Sequence, residues 1–173
     1  DNLRGLVGGL DTYYLVAVVA RRLNIASLRE VKDRRLPVRV YSQPVGSLGE
    51  FGGRQLLRAY GITYADLRSW GGSTTHVGYN VIVDAFKDGR ADVLLAVITP
   101  KHPSVSEIAT FTDVAFLGLE PEVVKALARA IPPAKINNAP HGMRSALRQS
   151  SRAPPRSNSR RPDASPRFRS NFI

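Results

Sequence analysis

The sequence has 173 residues, a length that suits one domain or one domain followed by a tail. It has no cysteine, which excludes disulfides and thiolate metal sites, and no apolar run long enough to span a bilayer, so we expect no direct membrane insertion. The net charge of +11 is uneven, because residues 1–130 carry +3 and residues 131–173 carry +8.

Two strands and two helices are predicted before residue 62. Residues 13–20 are continuously apolar and rich in β-branched side chains, which predicts a strand buried on both faces. Ser27 begins a Ser-Leu-Arg-Glu capping box, which predicts a short helix to about Asp33. Residues 36–42 alternate in polarity and predict a second strand. A long helix follows and ends at Gly61; its predicted inner face comprises Gly53, Leu56, Leu57 and Tyr60.

The alternation continues after residue 62. Thr63 opens another capping box before a single helical turn, and residues 70–76 are expected to form a glycine-rich loop. Residues 77–87 predict a helix that Gly89 ends, with Ile82, Ala85 and Phe86 on its buried face. Residues 91–98 predict a second fully apolar strand.

Two further helices and a fourth strand complete the pattern. Ser104 begins a third capping box, which predicts a helix to about Thr110, and residues 114–119 predict a strand. Pro121 suits the first position of a last helix, whose expected buried stripe comprises Val124, Leu127, Ala128 and Ile131. Strands that alternate with helices predict an α/β domain with a mostly parallel sheet over residues 1–131.

Residues 132–173 differ in composition and are predicted to form a tail. Residues 141–173 hold 8 Arg, 7 Ser and 4 Pro, with few large apolar groups to offset the entropy of ordering. We expect a disordered tail, and a frameshift near residues 132–138 would give the same composition. The tail lacks interleaved aromatic residues and any reader motif, so no nucleic-acid partner is expected.

The turn between the 36–42 strand and the long helix is the main candidate site. Gly46, Ser47, Leu48 and Gly49 form this turn. The first turn of a helix has N–H groups without intrahelical partners and a partial positive charge, so it attracts carboxylates and phosphates. The alternative is that the glycines only shape the connection. The turn lacks the signature of a Walker loop and the spacing of a dinucleotide fingerprint.

Hydroxyl groups near the ends of other predicted strands extend this site. Thr74, Thr75 and Thr99 are candidate partners for an anion, although Thr74 and Thr75 equally suit the N-cap of the next helix. None of the three histidines is paired at metal-ligand spacing, and no serine lies in a nucleophile elbow. We therefore expect no metal, no cofactor and no catalytic residue, that is, a protein that is not an enzyme.

Eight short motifs occur in a characteristic order between residues 2 and 129. They are Asn2-Leu-Arg-Gly-Leu, residues 15–19, Ile25-Ala-Ser-Leu-Arg-Glu, Val45-Gly-Ser-Leu-Gly, Leu56-Leu-Arg-Ala-Tyr-Gly-Ile-Thr, Trp70-Gly-Gly, Phe86-Lys-Asp-Gly-Arg-Ala-Asp and Glu107-Ile-Ala-Thr. In this order they resemble the middle of the TAXI-family solute receptors. Those receptors are the extracytoplasmic binding subunits of TRAP (tripartite ATP-independent periplasmic) transporters.

The resemblance implies a type II periplasmic-binding-protein fold, in which two α/β lobes close on a small carboxylate. It implies that residues 13–20 and 91–98 are the strands that cross between lobes. It also matches residues 46–49 to the family's Gly-Ser-Gly helix start, with Leu48 where a glycine is usual. Since the first lobe of the family has no counterpart here, the chain corresponds to one lobe with half of the ligand contacts.

The leading hypothesis is a periplasmic, non-enzymatic solute-binding component of a TRAP-type transporter. Its partners would be a small anionic solute, such as an acidic amino acid or a dicarboxylate, and the TRAP membrane subunits. No signal peptide is visible and the chain begins at Asp1, so we expect a mature or partial form. The alternatives are a ligand-sensing effector domain of a transcription regulator and a nucleic-acid-binding protein that acts through its basic tail.

Overall fold

The computed structural model of the chain describes residues 12–130, in which strands and helices alternate as the sequence predicts. The strands are β1 (Tyr14–Ala20), β2 (Arg39–Ser42), β3 (Ser73–His76), β4 (Val93–Ile98) and β5 (Val114–Phe116). The helices are α1 (Leu28–Asp33), α2 (Leu48–Ala59), α3 (Tyr64–Ser69), α4 (Tyr79–Lys87), α5 (Pro103–Phe111) and α6 (Pro121–Ala130). The predicted tail, residues 132–173, and the motif at Asn2 lie outside the described residues.

The strands form one five-stranded sheet in the order β3-β2-β4-β1-β5. Strand β2 is parallel to both β3 and β4, whereas β1 is antiparallel to both β4 and β5. Four strands therefore run in one direction and β1 runs against them. The prediction of an α/β domain with a mostly parallel sheet is confirmed, and the arrangement agrees with a periplasmic-binding-protein-like fold.

Because β1 is antiparallel to β4, the first residue of β1 lies beside the last residue of β4. Tyr14 pairs with Ile98, the last residue of β4. Strands β2 and β3 end beside each other, because Ser42 pairs with His76. We call this end of the sheet the carboxyl edge; it comprises residues 12–14, 43–49, 76–81 and 99–103. Ligands of open α/β sheets bind beyond the carboxyl ends of the strands.

Helices cover both faces of the sheet. One core cluster combines β1, β2 and β4 with α1, α2, α3 and α6, and Leu56, Leu67 and Leu127 are fully buried in it. The second cluster lies on the opposite face and packs α4 and α5 against the sheet, with Phe86 and Ile108 at its centre. The inner faces predicted for the long helix and for the 77–87 helix are buried as expected.

Two glycines bring α2 unusually close to the sheet. A β-carbon at Gly53 would lie 2.8 Å from Cβ of Leu95, and one at Gly52 would lie 2.7 Å from Cγ2 of Val97. Neither position tolerates a side chain without moving α2 away from β4. The close packing of α2 on β4 thus fixes the position of the helix relative to the sheet.

The Trp70–His76 stretch differs from the predicted loop. Residues 73–76 form strand β3 at the border of the sheet, where a half-exposed strand needs few apolar residues. Gly71 has φ of +84°, and a β-carbon at Gly72 would lie 2.3 Å from the carbonyl oxygen of Val38. These glycines shape the entry to β3 at the other end of the sheet. Trp70 packs against the core, in line with a structural role.

Two smaller expectations are also corrected. Helix α5 is capped by His102 and begins at Pro103, so the predicted capping box at Ser104 is wrong, because proline is well suited to the first helical position. In α6 the buried residues are Val123 and Leu127, whereas Val124 is half-buried and Ala128 is exposed. Ile131, the fourth member of that predicted stripe, lies outside the described residues.

Strand β4 is not a strand that leaves the lobe. It ends at Ile98, and the chain then turns into α5, which packs beside α4 on the same sheet. The expectation that residues 91–98 cross between lobes is therefore wrong for the described chain. Strand β1 runs antiparallel to β4 and β5, and the same expectation for residues 13–20 stays a prediction.

A buried ionic cluster holds the opposite edge of the sheet together. Asp92 is 5% exposed and accepts hydrogen bonds from Arg22 Nη2 at 2.6 Å and from Arg39 Nε at 2.8 Å. Burial alone would raise the pKa of Asp92, but the bonds from Arg39 outweigh it, and the pKa lies below its ordinary value. The cluster joins the end of β1 to the starts of β2 and β4.

Candidate functional site

The start of α2 presents free backbone donors at the carboxyl edge. Ser47 is the N-cap, and its Oγ accepts a hydrogen bond from the Glu50 N–H at 3.2 Å. The N–H groups of Leu48 and Gly49 have no acceptor within the described part of the chain. Because the hydroxyl proton of Ser47 also remains available, this turn offers three donors to an anion.

Glu50 connects the start of α2 to the rest of the fold through hydrogen bonds. The residue is 3% exposed, and Oε1 accepts hydrogen bonds from Arg54 Nε at 2.8 Å and from the Tyr64 hydroxyl at 3.2 Å. Burial disfavours the charged form, but Arg54 outweighs burial and the pKa of Glu50 is lowered. The carboxylate is therefore engaged with Arg54, Tyr64 and the Gly46 N–H of the turn, and the Leu48 and Gly49 N–H groups have no acceptor among the described residues.

Gln43 is the least expected residue of the site. It follows β2 directly and is 8% exposed, yet neither Oε1 nor Nε2 makes a hydrogen bond within the described residues. Its amide lies against Gly49, since a β-carbon there would be 1.3 Å from Gln43 Oε1. The amide also approaches the Tyr79 hydroxyl: burial raises the pKa of that phenol and the amide offsets part of the rise, although no hydrogen bond of ordinary geometry joins the two groups.

Two more helices begin beside Gln43. Helix α4 has Gly78 as its N-cap and α5 has His102, and neither start has a side-chain cap. The ring of Tyr79, the first residue of α4, lies 4.4 Å from the ring of His102. A continuous row from Gly49 through Gln43 and Tyr79 to His102 therefore connects the starts of α2, α4 and α5.

The row is electrically neutral. Burial raises the pKa of Tyr79, so the phenol keeps its proton. Burial lowers the pKa of His102, so the imidazole is uncharged near pH 7, and its Nδ1 is buried without a partner in the described region. Positive potential at this edge comes from the three helix starts and from the exposed Lys101, which has a left-handed φ of 59°.

The sequence-predicted residues occupy different positions relative to this row. Gly46, Ser47, Leu48 and Gly49 form the start of α2 as predicted, although the Leu48 side chain is 59% exposed. Thr99 follows β4 directly and lies at the carboxyl edge.

The two threonines of the predicted loop lie in β3. Thr74 pairs with Val40 and Thr75 with Tyr41, so they lie two residues and one residue before His76, the last residue of the strand. They cap no helix, because Gly78 caps α4. Their role as hydroxyl partners stays a prediction.

Gln43, Tyr79 and His102 were not identified by sequence reasoning. Gln43 directly follows β2, Tyr79 begins the helix after β3, and His102 caps the helix after β4. The only signal in the sequence is that all three lie in connections after the carboxyl ends of parallel strands. For His102 the sequence indicates only that no metal-ligating partner lies at the usual spacing. Within residues 12–130 no group of three metal-ligating side chains comes together.

Apolar side chains surround the polar row. Tyr13, Val45, Leu48 and Val81 are between 48% and 76% exposed, and all four belong to the carboxyl edge. Exposed apolar residues rimming polar groups are typical of ligand grooves and interfaces. The carboxyl edge therefore has the composition of a surface that contacts a ligand or a partner.

A family model matches residues 1–146 of the sequence. The chain belongs to the NMT1-like family. This is a family of periplasmic-binding-protein-like proteins that includes TRAP- and TAXI-related members, and it makes the chain a solute-binding-type protein. The search of curated proteins found no match. None of the helices in residues 12–130 is long and apolar enough to cross a membrane.

Membership of the NMT1-like family agrees with the geometry of the carboxyl edge. The edge has donors, neutral polar side chains and an apolar rim, which suit the holding of a small solute. The family match extends to residue 146, beyond the predicted domain boundary at 131, and that boundary stays a prediction.

Proposed function

We propose that the chain is the solute-binding lobe of a TAXI-type receptor and captures a small organic anion, an acidic amino acid or a dicarboxylate. It acts in the periplasm and passes the solute to TRAP membrane subunits without chemical change. Gly46, Ser47, Leu48 and Gly49 hold one carboxylate, and Thr74, Thr75 and Thr99 supply hydroxyl groups.

One observation carries this proposal. Three helix starts meet at the carboxyl edge, and the Leu48 and Gly49 N–H groups there have no acceptor among residues 12–130. Partial positive charge from aligned helices is best matched by an anion. The four ranges of the carboxyl edge contain no aspartate or glutamate, and the charge of the adjacent Glu50 is matched by Arg54. The ordered TAXI-like motifs and the family membership give further support.

Isothermal titration of the full chain tests the proposal. Succinate, glutarate, L-aspartate and L-glutamate are the ligands, and succinamide, the uncharged diamide, is the matched control. The proposal expects saturable binding of at least one acid and no binding of the diamide. Heat that is equal for acid and diamide, or no heat with any acid, overturns it.

A further inference from the structure

The Gln43 side chain makes no hydrogen bond of ordinary geometry within the described residues, although its amide approaches the Tyr79 hydroxyl. Both amide atoms are buried and unpartnered with respect to the described chain, so exchanging the oxygen and the nitrogen would not change this. Buried polar side-chain atoms in native proteins almost always have partners. An amide with neither atom satisfied indicates that its partner is a molecule that binds here.

The position of the amide defines which part of a ligand it would meet. It lies against Gly49, whose N–H is one of the two free donors of the α2 start. A carboxylate held by Leu48 and Gly49 would place its adjacent carbon, the 2-position, next to Gln43. The amide is thus placed to contact the substituent on that carbon.

We propose that Gln43 selects solutes with a hydroxyl group next to the carboxylate, that is, 2-hydroxy acids. The proposal rests on the proposed function and specifies its solute. A hydroxyl group both accepts a hydrogen bond from Nε2 and donates one to Oε1, so it satisfies both amide atoms. An ammonium group only donates, a keto group only accepts, and an unsubstituted carbon does neither.

The charges at the carboxyl edge point the same way. An ammonium group on a solute is normally matched by a carboxylate, and residues 12–14, 43–49, 76–81 and 99–103 contain none. The neighbouring Glu50 reaches the Gly46 N–H, but its charge is matched by Arg54 and its carboxylate also accepts from Tyr64. Lys101 is the permanent charge of this edge, and it repels a cation. A neutral hydroxyl avoids this cost.

Titration of the full chain with three acids that differ only at the 2-position tests the selection. The probes are L-malate (hydroxyl), succinate (unsubstituted) and L-aspartate (ammonium). Malate is expected to bind roughly tenfold more tightly than succinate, the scale of one or two hydrogen bonds to an otherwise unsatisfied group. In Gln43→Leu the affinity for malate falls to that for succinate, which itself changes little.

Two further variants control the interpretation. Gln55→Leu makes the same chemical change in the middle of α2, away from the carboxyl edge, and should leave both affinities unchanged. Gln43→Glu places a negative charge at the same position and should weaken the binding of all three acids. Fluorescence of Trp70, which packs against the core, verifies that each variant is folded.

The outcomes separate this inference from the proposed function. A preference for malate that Gln43→Leu removes supports the inference. Tight binding of acids without that preference, or a preference that survives Gln43→Leu, overturns the inference and leaves the proposed function standing. Absence of binding by every acid overturns both.

Discussion

The amide of Gln43 occupies the space in which any residue other than glycine at position 49 would place its β-carbon. The distance from that position to Gln43 Oε1 is 1.3 Å. The two residues are therefore coupled, because Gly49 permits the buried position of the amide and the amide lies against the Gly49 backbone. Sequence separation of six residues gives no indication of this contact.

Coupling between Gln43 and Gly49 predicts a non-additive double mutant. Alanine at position 49 gains helix propensity of up to about 1 kcal/mol, but with Gln43 present it must also expel the amide. Gly49→Ala is expected to be more favourable by about 1 kcal/mol in a Gln43→Ala background than in the wild type. Urea unfolding followed by Trp70 fluorescence measures this. Equal effects in the two backgrounds would exclude the coupling.

Ser47→Ala should lower stability and affinity together. The variant loses the N-cap bond to Glu50, which costs about 1 kcal/mol of stability, and a donor to the anion, which weakens binding by about 1 kcal/mol. Thr63→Ala is the matched control, because Thr63 caps α3 away from the carboxyl edge. It should lose stability with unchanged affinity. If Ser47→Ala binds the anion as the wild type does, Ser47 is only a helix cap.

Lys101→Asn should weaken the binding of dianions. Asparagine tolerates the left-handed φ of 59°, so the substitution removes the charge with little backbone strain. An exposed charge contributes about 0.2–1 kcal/mol, so affinity for succinate should fall up to roughly fivefold, and less at high salt. Lys125→Asn removes an exposed charge from α6 as a control. Titration of both variants with succinate at two salt concentrations distinguishes a local effect of Lys101 from a general effect of net charge.

The Asp92 cluster should dominate the acid sensitivity of folding. The pKa of Asp92 in the folded protein lies below the unfolded value of about 3.9. Its contribution to the stability of the fold is therefore complete above that pH and is lost as the pH falls through the folded pKa. Asp92→Asn should cost about 3 kcal/mol at pH 7 because it breaks a buried ion pair. The difference from wild type should shrink below about pH 4.

A surface pair serves as the control for this prediction. Asp113, 78% exposed, pairs with Arg21, and Asp113→Asn should change stability by less than about 1 kcal/mol at any pH. Denaturant unfolding at pH 3, 5 and 7 compares the two variants. A constant difference between wild type and Asp92→Asn across this range would contradict the role assigned to Asp92.

Much of the fold was predictable because its signals are local. The apolar runs of β1 and β4, the periodic face of α2 and the cap at Thr63 each lie within a short segment. Strand β3 was missed because its Ser-Thr-Thr-His sequence is polar, which only its place at the border of the sheet explains. The antiparallel direction of β1 depends on contacts that no local pattern encodes.

The candidate site was predictable only in part, for the same reason. The start of α2 follows from its glycines and serine, so it was identified from the sequence. Gln43, Tyr79 and His102 come from three different connections and meet only when the strands are side by side. The absence of partners for Gln43 is a property of the packed structure, and composition does not reveal it.

The backbone amide signals of Leu48 and Gly49, followed by nuclear magnetic resonance of the ¹⁵N-labelled full chain, test most directly whether an anion binds at the carboxyl edge. We predict that L-malate or succinate shifts both signals in a saturable manner, whereas the signal of the core residue Leu127 stays in place. Saturable binding that leaves Leu48 and Gly49 unchanged, or the absence of any shift, would contradict the account.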